Sequence, residues 1–301
     1  MRYAIVGTGM MGREHLANIA HIPESRVVSL VDPNSGSLER AAQVHGGESQ
    51  PFSNLRDALS GPEFDVVVIA SPNNTHAGVI HEALEHGKHV LVEKPLATTV
   101  QDCRKIERLV ETRPGQVVAV GLEYRFMAPT AWLLDTVRAG ELGNVRMMTI
   151  IEHRFPFLDK VGAWNRFNDN TGGTFVEKCC HFFDLMYQVF RSEPIAVLAS
   201  SAETVNHRDE RYDGREPDIL DNGFVIVEFG GGRRGMLELC MFAEGSRDEQ
   251  YISVVGDKAK AEVRIPSNEC SIGDRRTGNH GVQTKRSEEH TSELQSRETI
   301  S

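Results

Sequence analysis

The sequence has no uninterrupted apolar run of 18 residues, so it offers no candidate for a membrane-spanning helix. No leader is expected either. A β-rich apolar stretch, Arg2-Tyr3-Ala4-Ile5-Val6, begins at once and leaves no room for a signal peptide. Basic residues are in deficit: 33 Lys and Arg against 43 Asp and Glu give a formal charge of −10. That balance argues against a nucleic-acid or anionic-membrane surface, which needs clustered cations. Cysteine is sparse and odd in number. Cys103, Cys179, Cys180, Cys240 and Cys270 form no C-x-x-C, so neither a disulfide framework nor a structural zinc is expected. A reduced, cytoplasmic protein without a metal site is the plain reading.

What is present starts with glycine. The first apolar stretch ends in Gly7-Thr8-Gly9-Met10-Met11-Gly12, and a helical pattern follows through Leu16 and Ile19. Strand, G-x-G-x-x-G and helix in that order is the context of a dinucleotide site. Gly7 permits the tight turn, Gly9 lets the backbone approach a pyrophosphate, and Gly12 lets helix and strand pack closely. The helix end offers unbonded N–H groups and a partial positive charge to the phosphates. A second strand, from Arg26 to Val31, ends in Asp32, 20 residues after Gly12. An acid there accepts ribose hydroxyls and repels a 2′-phosphate, and no Arg follows at once, so NAD is read over NADP. Asp32 could instead be a turn residue before Pro33-Asn34.

Strands and helices then alternate. Asp65 to Ala70 is a continuous apolar run, as a strand buried on both faces should be. The polar loop Ser71-Pro72-Asn73-Asn74-Thr75-His76 and a helix follow it. His89 to Val92 is a strand ending in Glu93-Lys94-Pro95, and Val117 to Val120 is the last of the series. The pattern predicts a Rossmann-type, doubly wound parallel sheet over 1–121, with its ligand off the carboxyl ends of the strands. Gly7, Asp32, Ser71 and Glu93 fall at such ends. Ser71, Pro72, Asn73, His76, Glu93 and Lys94 join the glycine loop as candidate cofactor contacts; His76 reads equally as a surface histidine at a helix start. After residue 121 the strands lengthen and pair. Hairpins are expected at Gly230-Gly231-Gly232 and Gly256-Asp257-Lys258, giving a second α+β domain over 122–285 on a large, mostly antiparallel open sheet. From Arg286 the string RSEEHTSELQS has no apolar periodicity and reads like a translated sequencing-library adapter. Residues 286–301 are therefore expected to be a non-native tail on an incomplete second domain, with a genuine polar tail as the alternative.

These residues together resemble the Gfo/Idh/MocA oxidoreductase family of sugar and inositol dehydrogenases. The resemblance rests on AIVGTGMMGREH at 4–15, DVVVIASPNNTH at 65–76, GKHVLVEKPLA at 87–97, GLEYRF at 121–126 and GGTFVEKCCHFFD at 172–184. It implies an NAD-dependent dehydrogenase acting on a secondary hydroxyl of a sugar, inositol or related polyol. Lys94, by itself an ordinary loop lysine, becomes the group that stabilises an alkoxide-like transition state. Glu177 and His181 are spaced i, i+4 on a helix expected from about Thr174 to Phe190. On residue grounds they are a helix-surface pair or a core histidine. The resemblance makes His181 the group that exchanges the hydroxyl proton, oriented by the carboxylate. Here Glu177 replaces the usual Asp, and Lys178 follows where an apolar residue is common. Tyr124, Arg125, Trp164, Arg166 and Asp184 are the candidate substrate contacts. Pairing into a homodimer or homotetramer through the second-domain sheet is implied by the resemblance alone. So are two other functional classes: an NAD-retaining glycosidase working by transient C3 oxidation, and a non-catalytic NAD-bound sensor.

Overall fold

The computed structural model describes residues 1–46 and 48–287; the tail expected from 286 lies, from 288 on, outside the described residues. The chain divides into two compact units. One comprises Met1–Leu122, Asp159–Cys180 and Tyr212–Ile219; the other comprises Glu123–Leu158, His181–Arg211 and the chain from Leu220.

The first unit is built on β1 (Arg2–Val6), α1 (Met10–Ala20), β2 (Arg26–Val31), α2 (Ser35–His45), β3 (Gln50–Phe52), α3 (Leu55–Leu59), β4 (Val66–Ile69), α4 (His76–Glu85), β5 (His89–Glu93), α5 (Val100–Glu111) and β6 (Val118–Gly121). Its six strands are ordered β3-β2-β1-β4-β5-β6, and every neighbouring pair is parallel. The order reverses direction between β1 and β4, where a doubly wound sheet opens its ligand crevice. β4 is buried along its whole length, which is why its sequence is continuously apolar. β3 escapes the periodicity because it is 3 residues long and contains Pro51.

The second unit carries α6 (Ala128–Arg138) and β7 (Val145–His153). Two short helices of the first unit, α7 (Asn168–Thr171) and α8 (Thr174–Glu177), precede α9 (Cys180–Phe190). Then come β8 (Pro194–Ala202), β9 (Asn222–Phe229), β10 (Arg233–Cys240), β11 (Gln250–Gly256), β12 (Ala259–Ile265), β13 (Glu269–Asp274) and β14 (Gln283–Arg286). The eight strands run β14-β13-β12-β11-β7-β10-β9-β8, all antiparallel except β7 against β10. Both expected hairpins are present. β8 is the strand that periodicity could not reveal: it lies at the sheet edge and eight of its nine residues are exposed, so it shows no in–out alternation.

The continuous helix expected over 174–190 does not form. α8 stops at Glu177, a turn covers Lys178 and Cys179, and α9 starts at Cys180. The Glu177 carbonyl, an acceptor that a continuing helix would use for itself, takes the Lys94 ammonium at 3.0 Å. Glu177 thus closes α8, and His181 belongs to α9. Among the described residues no helix is long and apolar enough to cross a membrane.

Candidate functional site

In the first unit the glycine loop is shaped by close approach. Gly7 has φ +88°, and a Cβ there would sit 2.4 Å from the Ser71 amide nitrogen. A Cβ on Gly12 would sit 2.0 Å from the Gly7 carbonyl oxygen, so α1 can meet the loop only without a side chain. Gly9 differs: a Cβ built on it meets no atom within 4 Å. Its glycine answers to open space rather than to protein. Gly9 is also the N-cap of α1 and supplies no side-chain cap, so the first-turn amides of Met10, Met11 and Gly12 have no intrahelical partner. Asp32 closes the group from β2. Its carboxylate accepts from the Thr8 amide at 2.8 Å, the Thr8 hydroxyl at 3.2 Å and the Asn34 amide at 2.8 Å. An open cradle, uncapped amides and a fixed carboxylate fit a dinucleotide.

Around Lys94 three elements are tied together. Glu93 ends β5 and holds His15 of α1 at 2.7 Å, while its other oxygen accepts from the Lys94 amide at 3.3 Å. Burial pushes the Glu93 carboxyl upward, but the His15 hydrogen bond and the charges of His15 and Lys94 outweigh it and leave it below its usual range. His76 is fully buried between the Pro95 carbonyl, at 2.8 Å, and the Ser71 carbonyl, at 3.0 Å. It is a core histidine at a helix start, not a surface one. Burial holds its pKa below the usual value in spite of both carbonyls. Asn73 is buried and donates to the Thr171 carbonyl at 3.4 Å; Ser71 and Thr75 exchange a hydroxyl contact at 2.6 Å. Lys94 itself reaches Glu177, as above. Trp164 is half-buried, and its carbonyl accepts from Asn170 at 2.9 Å. Arg166 is buried and pairs at 2.6 Å with Asp159, whose side chain is exposed.

The second unit holds the other set. His181 is buried in the first turn of α9; its Nε2 lies 3.7 Å from the Glu123 carboxylate, and Tyr124 stacks on its face. Arg125 and Asp184, both candidate substrate contacts, face each other in a two-bond ion pair. The Asp184 hydrogen bonds raise the Arg125 pKa above its ordinary value. His15, Glu123 and Gln250 hold these groups although no motif assigns them a role. His15 lies inside the glycine-loop motif and Glu123 beside Tyr124, so their positions carried a signal; Gln250 in mid-strand carried none.

Two family models match the chain: an oxidoreductase family with an NAD-binding Rossmann fold over residues 1–122, and the same family's C-terminal alpha/beta domain over 135–300. The scyllo-inositol 2-dehydrogenase (NAD(+)) of Bacillus subtilis (strain 168) is 28% identical over 278 residues, covering 91% of this chain and 74% of the relative. The inositol 2-dehydrogenase of Rhizobium meliloti (strain 1021) is 26% identical over 277 residues, covering 91% and 79%. A levoglucosan dehydrogenase solved in complex with NADH superposes with a TM-score of 0.83 at 20% identity, covering 97% of this chain and 81% of that one, which is a likeness of fold.

Proposed function

The chain belongs to the Gfo/Idh/MocA oxidoreductase family and is an NAD-binding dehydrogenase, and we propose that its substrate is a secondary hydroxyl of an inositol, sugar or sugar derivative. The observation that carries this reading is the 3.0 Å contact from Lys94 Nζ to the Glu177 carbonyl. Within one unit it joins two motifs 83 residues apart, both of which the family resemblance assigns to chemistry. NAD, when bound, supplies the hydride acceptor. Lys94 offers a fixed positive charge to the oxygen that loses its proton. His181 takes that proton, a task suited to an imidazole near neutrality. The inositol dehydrogenases among the relatives support a polyol as the substrate class.

The test is a panel of myo-inositol, scyllo-inositol and levoglucosan with NAD, read by nicotinamide absorbance. Lys94→Ala and His181→Ala are expected to lower turnover at least ~100-fold with NAD affinity within a few-fold. Full activity in both variants would refute the assignment. Copies of the chain, we infer, pair through the open sheet face that carries exposed Met147, Phe224 and Ile226. Sedimentation of Phe224→Glu should then give a monomer; an unchanged assembly would reject this interface.

A further inference from the structure

The second unit packs buried groups around His181, and the proposed chemistry gives those neighbours no task. The Tyr124 and His181 rings stack with centroids 4.2 Å apart and planes 10° from parallel. The Phe182 ring meets Tyr124 edge-on at 5.6 Å. Gln250 Nε2 donates to the Tyr124 hydroxyl at 3.2 Å. Exposure is 8% for Tyr124, 2% for His181, 0% for Phe182 and 3% for Gln250.

A proton-exchanging imidazole must present one nitrogen along one line, and a tilt of the ring misdirects it. A flat partner on its face fixes that tilt. Here the partner is itself fixed at two points, at its edge by Phe182 and at its hydroxyl by Gln250. Gln250 opens β11 and stands opposite Glu152 of β7 in the sheet register, so the chain of support runs from strand to amide to hydroxyl to ring. Glu123, beside Tyr124 on the same short turn, approaches His181 from the ring edge at 3.7 Å. A phenylalanine would fill the same space. The hydroxyl is accounted for by its buried partner, which points to orientation as well as volume.

We propose that Tyr124, anchored by Gln250, is a positioning residue that holds the plane of the His181 ring for proton exchange. This rests on the reading of His181 given above.

The experiment uses the full chain. The His181 ring-proton resonance is identified by its loss in His181→Asn. Stacking predicts that it lies upfield of ordinary histidines, stays there in Tyr124→Phe and moves downfield in Tyr124→Leu. On whichever of the three polyols is turned over, Tyr124→Leu should lower kcat about tenfold or more at KM within threefold, and Tyr124→Phe, which keeps the ring and loses only the anchor, should recover part of it, to the level of Gln250→Leu. Gln250→Leu, which leaves the rings intact, should lower kcat with KM unchanged and so tests the anchor should Tyr124→Leu fail to fold. A His181 resonance indifferent to Tyr124→Leu, or kcat unmoved in both Tyr124→Leu and Gln250→Leu, overturns the proposal. A resonance that moves as described, beside full activity in His181→Ala, leaves the stack standing and removes the proton-exchange reading instead.

Discussion

His76 and Pro95 are joined by a 2.8 Å contact from the imidazole Nδ1 to the proline carbonyl, while Nε2 faces the Ser71 carbonyl at 3.0 Å. Carbonyls only accept, and a neutral ring donates from one nitrogen. Burial nevertheless holds the folded-state pKa below its usual value. The unfolded chain therefore binds the proton more readily. The stability from this site is complete above the ordinary histidine pKa of about 6.5 and declines as pH falls through it. His76→Gln should keep one of the two bonds at a cost of about 1–3 kcal/mol. Its melting temperature should fall less steeply than wild type between neutral and mildly acidic pH. Parallel slopes would mean that His76 does not carry the titration.

The glycines of the loop should separate folding from cofactor binding. Gly12→Ala places a Cβ 2.0 Å from the Gly7 carbonyl and should lower the melting temperature markedly. Gly9→Ala meets no protein atom within 4 Å, so the fold should keep its melting point. Calorimetry should then show NAD binding weakened about tenfold or more, because the methyl occupies the space of the pyrophosphate. Unchanged NAD affinity in Gly9→Ala would place the phosphates elsewhere.

Arg125 and Asp184 form a two-bond pair in which the acid side chain is 10% exposed and the arginine 36%. Arg125→Ala strands a mostly buried carboxylate. It should cost about 2 kcal/mol, more than an exposed pair and less than a fully buried one. Asp184→Ala combined with it should cost less than the sum of the single changes in urea titration; strict additivity would mean that the pair contributes nothing.

Asp221 gathers the amides of Thr204, Val205 and Asn206, the Thr204 hydroxyl and the Asn222 side chain. Burial pushes its carboxyl upward, but these donors outweigh it and leave the pKa below the usual value. The stability it contributes is present above the ordinary aspartate pKa of about 3.9 and is lost as pH falls through the lower folded value. Asp221→Ala should cost about 3 kcal/mol. Asp221→Asn should cost less and flatten the acid limb of the melting curve. An acid limb identical to wild type would assign that sensitivity to other carboxylates.

The first unit was legible because its signals are local. Gly12 faces the Gly7 carbonyl across one turn, and β4 is apolar at every position because both faces are covered. The second unit was less so. β8 has no alternation to read, and β7 pairs in parallel with β10, Met147 opposite Arg234. Arg125 and Asp184 look like two open ligands until folding sets them face to face. In the first unit, Arg166 gave no sign that it would be buried.

The sequence by itself determined the glycine cradle, the acid at the end of β2, the parallel half and the paired strands, since each depends on residues within a turn or two of one another. Only the tertiary structure decided that the helix after Thr174 breaks at Lys178, that Lys94 reaches the Glu177 carbonyl, and that Tyr124 lies flat on His181. The last two relations join groups 83 and 57 residues apart, and their geometry is set by packing and competition for hydrogen bonds that no local pattern encodes.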